Sequence, residues 1–121
     1  MKLAVCAQEE GLNAVTDSRF GRCAYFVVVD PADGSVVQSL RNEGVEASGG
    51  AGPKAAQLLS DAGVDAVVVG NLGPKAQTAL KAAGIEVYGG LAGTVEATVE
   101  KYNQGNLGKM AGANVPEHSG M

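Results

Sequence analysis

Gly49-Gly50-Ala51-Gly52-Pro53-Lys54-Ala55 returns in part 21 residues later, as Gly73-Pro74-Lys75-Ala76. The likeness runs on: Leu59 stands against Leu80, Ala62-Gly63 against Ala83-Gly84, and Val64-Asp65 against Ile85-Glu86. Each copy reads as a helix start, an apolar stripe, a helix stop and a strand start. Proline suits the first helical position, whose N–H has no intrahelical partner, and glycine suits the cap before it and the stop beyond it. Two helix N-termini therefore open from glycine loops, each with free N–H groups and a partial positive charge. Lys54 and Lys75 add the wrong charge for that dipole, which points to a surface suited to an anion. The plainer reading has both lysines extending into water.

Working outward, Ala55, Leu58, Leu59 and Ala62 repeat at i, i+3, i+4, i+7 and predict a helix over 53–62. Ala76, Ala79, Leu80 and Ala83 predict its copy. Between them lies Ala66 to Gly70, with Val67-Val68-Val69, a run that suits a strand covered on both faces. Glu86 to Tyr88 reads as a shorter strand. Thr94 then caps a third helix whose face is Val95, Thr98, Val99 and Tyr102. Upstream, Leu3 to Ala7 is a short buried strand. Tyr25 to Asp30 and Val36 to Arg41 form a hairpin about the turn Pro31-Ala32-Asp33-Gly34. Residues 8–22 break every pattern, and so long a loop in a small domain is functional or disordered.

The order β-β-β-α-β-α-β-α fixes a topology. Parallel crossovers are nearly always right-handed, and three meandering strands precede them. The simplest sheet is five-stranded and mixed, in the order 3-2-1-4-5 with only strand 2 antiparallel. Helices one and two share a face and helix three covers the other. This is a three-layer α/β/α sandwich of ribonuclease H-like topology. Strands one and four leave in opposite directions, so their carboxyl ends flank a topological switch point, the usual ligand position in open α/β sheets. The loops 8–22, 42–52, 70–74 and 89–93 all fall on that edge.

Composition narrows the function. The 121 residues suffice for one domain, placed at 1–103, with a glycine-rich tail at 104–121 expected to be mobile. A net charge of −4 and only three Tyr, two Phe and no Trp argue against a nucleic-acid binder. The N-terminal apolar run is too short for a signal peptide or membrane span, so the expected location is the cytoplasm. Cys6 and Cys23 make neither a CxxC nor a disulfide framework.

Asp17-Ser18-Arg19-Phe20-Gly21-Arg22 is the first candidate site. Two arginines beside two glycine-opened helix N-termini could cradle an anion, or could simply pair with Glu9, Glu10 and Asp17. Ser48-Gly49-Gly50-Ala51-Gly52 and Gly70-Asn71-Leu72-Gly73 could bring backbone close to a ligand, or could serve only tight turns. Neither is a Walker loop, because a proline precedes each lysine. Cys6 ends the first strand and Cys23 precedes the second, so the two thiols could meet at the crevice and suit a soft metal; buried free cysteines also serve as small hydrophobes. His118, alone in the tail, has no ligand partner at useful spacing. Carboxylates do not cluster and no Ser/His/Asp or Cys/His set exists, so an enzyme is not expected.

Ser18-Arg19-Phe20-Gly21-Arg22 with Tyr25-Phe26, then Gly50 to Ala55, Gly70 to Ala76 and Ala82-Ala83-Gly84-Ile85, form a series that resembles the dinitrogenase iron–molybdenum cofactor biosynthesis family over residues 1 to about 103. The chain looks most like a small stand-alone member of the orange protein type, which holds a molybdenum–copper–sulfide cluster without covalent attachment. The resemblance implies the fold inferred above and a protein that holds or ferries a Mo–Cu–S or Fe–Mo–S cluster, with a cluster-accepting protein as a further partner. It carries over the loop Ser18, Arg19, Phe20, Gly21 and Arg22 and the loops Gly49, Gly50, Ala51, Gly52 and Asn71, Leu72, Gly73, with Phe20 and Leu72 as an apolar lining. Ser48 stands where relatives carry a histidine, which favours an electrostatic site. From another class, the alternative is a nucleotide or small-anion sensor using the same crevice.

Overall fold

The computed structural model describes residues 1–43 and 50–110. Its strands are β1 (Leu3–Ala7), β2 (Tyr25–Asp30), β3 (Ser35–Arg41), β4 (Ala66–Val69), β5 (Glu86–Gly89) and β6 (Gly108–Lys109). Its helices are α1 (Ala51–Asp61), α2 (Pro74–Ala82) and α3 (Val95–Asn103). The sheet order is β3-β2-β1-β4-β5-β6. β1 runs antiparallel to β2 and parallel to β4, and β4 runs parallel to β5.

Strand alternation divides the core in two, because successive side chains point to opposite faces. Ala4 and Cys6 of β1 join Phe26, Val28, Val67 and Val69 against Ala55 and Leu59 of α1 and Ala76 and Leu80 of α2. Leu3, Val5 and Ala7 join Val27, Val29 and Val68 against Val95 and Val99 of α3. The expected sharing of one face by the first two helices therefore holds. Replacing a fully buried anchor such as Leu59 by alanine costs on the order of 2–5 kcal/mol.

Two expectations needed correction. β6 makes the sheet six-stranded and adds a second antiparallel strand, paired with β5 through Tyr88↔Lys109 and Gly89↔Gly108. It falls within the stretch read as tail, and the Met110 N–H donates to the Val87 carbonyl at 2.8 Å. Two residues carry no readable period, so only the pairing reveals the strand. The second correction is the start of α1, which begins at Ala51, so Pro53 is its third residue. Gly50, left-handed at φ 71°, turns the chain into the helix early, and the Lys54 N–H closes the first bond onto the Gly50 carbonyl at 3.1 Å. At α2 the expected pattern holds, with Pro74 first and an extended Gly73 as cap.

Both helices stop alike. Gly63 and Gly84 each have φ 73°. Their N–H groups donate to Ser60 and Lys81, and those of Val64 and Ile85 donate to Leu59 and Leu80, at 3.0–3.1 Å. This paired bonding satisfies carbonyls that the helix ends leave open. Thr94 caps α3 as expected, its hydroxyl accepting from the Ala97 N–H at 3.2 Å. Among the described residues no helix is long and apolar enough to cross a membrane.

Candidate functional site

The 8–22 loop is held in place by backbone bonds. The Gln8 N–H donates to Val15 at 2.8 Å, and the Thr16 N–H to Gly93 at 3.1 Å. The first turn of α3 leans on the loop, with Val95 N–H donating to Ala14 at 3.0 Å and Glu96 N–H to Leu12 at 2.9 Å. Thr98, fully buried, fastens the 90s loop by accepting from the Ala92 N–H at 3.0 Å and donating to the Thr94 carbonyl at 2.8 Å. Further along, Ser18 and Phe20 bracket Asn71: the Asn71 N–H donates to the Ser18 carbonyl, and the Phe20 N–H to the Asn71 carbonyl. A Cβ on Gly70 would lie 2.7 Å from the Ser18 Cβ, so the residue must be glycine for the two loops to meet.

These contacts leave an open cleft of about 600 Å³ at the carboxyl ends of β1 and β4, lined by Gln8, Thr16, Asp17, Ser18, Arg19, Gly70, Gly90 and Leu91. That volume lies within the usual few-hundred to ~1,000 Å³ of small-ligand sites. Lys101 braces the rim, its Nζ donating to the Gly90 carbonyl at 2.7 Å. Among the described residues neither the backbone N–H nor the hydroxyl of Ser18 has a protein acceptor. Both are donors at the cleft.

The charged residues of the lining form a pair. The Asp17 carboxylate accepts from the Arg19 backbone N–H at 2.9 Å, from Nε at 3.2 Å and from Nη2 at 3.1 Å. Hydrogen bonding of the guanidinium to Asp17, then the carboxylate charge, raises the Arg19 pKa further, so the guanidinium stays charged at any working pH. Of the pairings expected for this loop, that of Arg19 with Asp17 is present, and Arg19 lines the cleft as well. Arg22, partly buried, closes the next turn through its N–H to the Arg19 carbonyl at 3.2 Å and is not among the residues lining the cleft.

The other predicted site residues take structural places. Phe20 and Leu72, expected as an apolar lining, are each 1% exposed and belong to the core beneath. Phe20 packs on Phe26 with ring centroids 5.4 Å apart. Gly21 rests on the first turn of α1, where an added Cβ would sit 3.0 Å from the Gly52 nitrogen. Ala51, Gly52 and Gly73 are buried, and Gly50 and Asn71 are partly so. Gly49 and Ser48, like His118, lie outside the described residues.

Cys6 and Cys23 are free, buried thiols in the core under the loop. The Cys23 thiol donates to the Phe20 carbonyl at 3.4 Å. Burial, followed by hydrogen bonding with Cys23, pushes the Cys6 pKa well up, which disfavours the thiolate that a metal would need. Among the described residues no group of three or more His, Cys, Asp or Glu could hold a metal ion.

Sequence reasoning missed Asn42. It is fully buried, and its Nδ2 donates to the Gly21 carbonyl at 3.1 Å and the Cys23 carbonyl at 2.9 Å. Its backbone N–H donates to the Ala24 carbonyl at 2.9 Å. One asparagine therefore ties the end of β3 to the whole 21–24 turn. A lone asparagine at a strand end carries no signal that separates it from a turn former.

The fold is a three-layer α/β/α domain with a polar cleft at the carboxyl ends of β1 and β4, and the chain belongs to the dinitrogenase iron–molybdenum cofactor family, whose model matches residues 1–105. The apo form of the orange protein from Desulfovibrio gigas is similar at 40% identity and a TM-score of 0.89, over 94% of this chain and 96% of that one. A candidate NifB protein from Thermotoga follows at 30% identity and a TM-score of 0.81, over 94% and 97%. An uncharacterized protein of Methanocaldococcus jannaschii is 33% identical over 92 residues, 74% of this chain and 78% of its own.

Proposed function

We propose that this protein is a carrier that holds an anionic, molybdenum-containing metal–sulfide cluster, of the Mo–Cu–S or Fe–Mo–S type, without covalent bonds to protein. Family membership supports the metal–sulfide class of cargo. The observation that carries the non-covalent reading is the cleft itself: among the described residues its lining offers the Ser18 N–H and hydroxyl, the Gln8 amide and Arg19 beside Asp17, and lacks thiolates and imidazoles. A thiometallate surface is polarisable and multiply negative, so hydrogen-bond donors and a guanidinium suit it better than additional ligands. Delivery to a cluster-accepting protein follows from carriage rather than turnover, and the cleft's openness on the loop edge suits hand-over.

The test is reconstitution without oxygen. Apo-protein mixed with tetrathiomolybdate and copper or iron should retain metal through gel filtration and develop new charge-transfer bands. Because Arg19 lines the cleft and Arg22 does not, Arg19→Ala should lose more metal than Arg22→Ala. Raising salt from 0.15 to 1 M, which shortens the screening length from about 8 to about 3 Å, should lower retention further. Saturable micromolar binding of a nucleotide with no thiometallate uptake would replace this reading by an anion sensor.

A further inference from the structure

We propose that Asp17 is the positioning residue of the cleft, clamping one edge of the Arg19 guanidinium so that its remaining donors are held for an anion. The inference rests on the anionic-cargo reading of the cleft and adds a residue whose charge is opposite to what such a site calls for.

The geometry is one-sided. The Asp17 side chain is 10% exposed and that of Arg19 is 55% exposed. Asp17 is itself fixed, since its backbone N–H donates to the Cys6 carbonyl of β1 at 3.0 Å. Its two oxygens then take the Arg19 backbone N–H, Nε and Nη2. A guanidinium has five N–H donors in a rigid plane. The clamp uses the one on Nε and one on Nη2, which leaves three, one on Nη2 and two on Nη1, at a residue that lines the cleft. An unclamped arginine would lose much rotamer freedom on meeting a ligand; a clamped one has lost it already, and preorganisation of this kind raises affinity. The fork also requires arginine, because an ammonium cannot be gripped along an edge.

A plain electrostatic role makes the opposite prediction, which gives the test its sign. If Asp17 only neutralises Arg19, Asp17→Asn removes a negative charge from an anion site and binding tightens. As a positioning residue, Asp17→Asn should weaken tetrathiomolybdate binding by about 5- to 20-fold, in spite of the more favourable net charge. Arg19→Lys, at an exposed side chain that leaves folding intact, should weaken it to a similar degree although the charge is unchanged. Binding by Asp17→Asn that equals or exceeds wild type overturns the proposal, as does full affinity in Arg19→Lys should Asp17→Asn fail to fold. A second measurement needs no ligand: the Arg19 Nε–H resonance of full-length apo-protein should exchange slowly with water, and should exchange fast in Asp17→Asn. Equal fast exchange in wild type overturns the clamp. Wild-type protein that takes up no thiometallate overturns the cluster reading alone, and the exchange measurement then decides the role of Asp17.

Discussion

The two Gly-Pro-Lys-Ala copies end alike and begin differently. Past Leu59 and Leu80 they share the same glycine stop, with the same pair of carbonyls satisfied. At their starts, Pro53 is the third residue of α1 while Pro74 is the first of α2, so Lys54 is the fourth residue of its helix and Lys75 the second. The site loop explains the difference. It lies across both helix starts, with Gly21 seated on the first turn of α1 and Ser18 seated on Gly70 ahead of α2. The loop therefore meets the two copies at different places: the helix turn at Ala51 and Gly52, and the end of β4 at Gly70, ahead of the second copy. Proline permits both, since none of the first helical N–H groups has an intrahelical acceptor.

The second contact is the tighter and should be the easier to break. Gly70→Ala places a Cβ 2.7 and 2.8 Å from the Ser18 Cβ and Cα, which cannot swing aside. The expected cost is about 2–3 kcal/mol by denaturant unfolding, from overpacking. Gly21→Ala, with its closest approach at 3.0 Å, should cost about 1–2 kcal/mol on the same basis. Equal losses would remove the ranking of the two contacts.

Gly50→Ala probes the early start of α1 alone. Nothing lies within 4 Å of the added Cβ, so only the left-handed φ of 71° opposes it. The expected loss is about 1 kcal/mol. A neutral result would mean that α1 can begin at Pro53 as α2 begins at Pro74.

At neutral pH the smallest effect is that of the Cys6 thiol beneath the loop. Its folded pKa is raised above the ordinary 9.0, by burial first. The fold thus favours the protonated form: this contribution is fully present below pH 9 and is lost as pH rises through the folded value. Thermal unfolding of wild type should fall off above pH 9, and Cys6→Ala should flatten that limb. Parallel curves for the two proteins would assign the alkaline limb elsewhere.

The fold was legible because its signals are periodic. Val67-Val68-Val69 and the Leu58-Leu59 stripe fix element type, and crossover handedness fixes the order of the strands. The two-residue β6 has no period to read. The cleft takes its lining from three of the four loops that the topology sets on one edge, those of residues 8–22, 70–74 and 89–93. Ser18 and Arg19, of the residues proposed from sequence, line that cleft. Phe20, Gly21 and Leu72 share their stretch but face inward, because neighbours along a loop follow no fixed alternation. Asp17 could be named as an ion-pair partner, whereas the clamp it forms depends on Cys6, distant in sequence and adjacent only across the β1 end. Asn42 and Thr98, the buried polar fasteners, are visible only once their partners are assembled.

The central position of β1 sets a timetable. Its partner β4 begins with Ala66 opposite Leu3, and the Lys2 N–H bonds Asp65, 63 positions along. The β2–β3 hairpin can close locally within microseconds, whereas this parallel pairing must first close a loop of more than sixty residues, with a large entropy cost. On a ribosome β1 can pair with β2 early, but its other edge waits until the β4 segment has emerged. Gly70 and Asn71 follow at once, and they are the residues on which Ser18 and Phe20 settle. A chain whose β1–β4 pairing has not formed therefore lacks the contacts of Gly70 and Asn71 with the 18–20 loop, and with them one wall of the cleft.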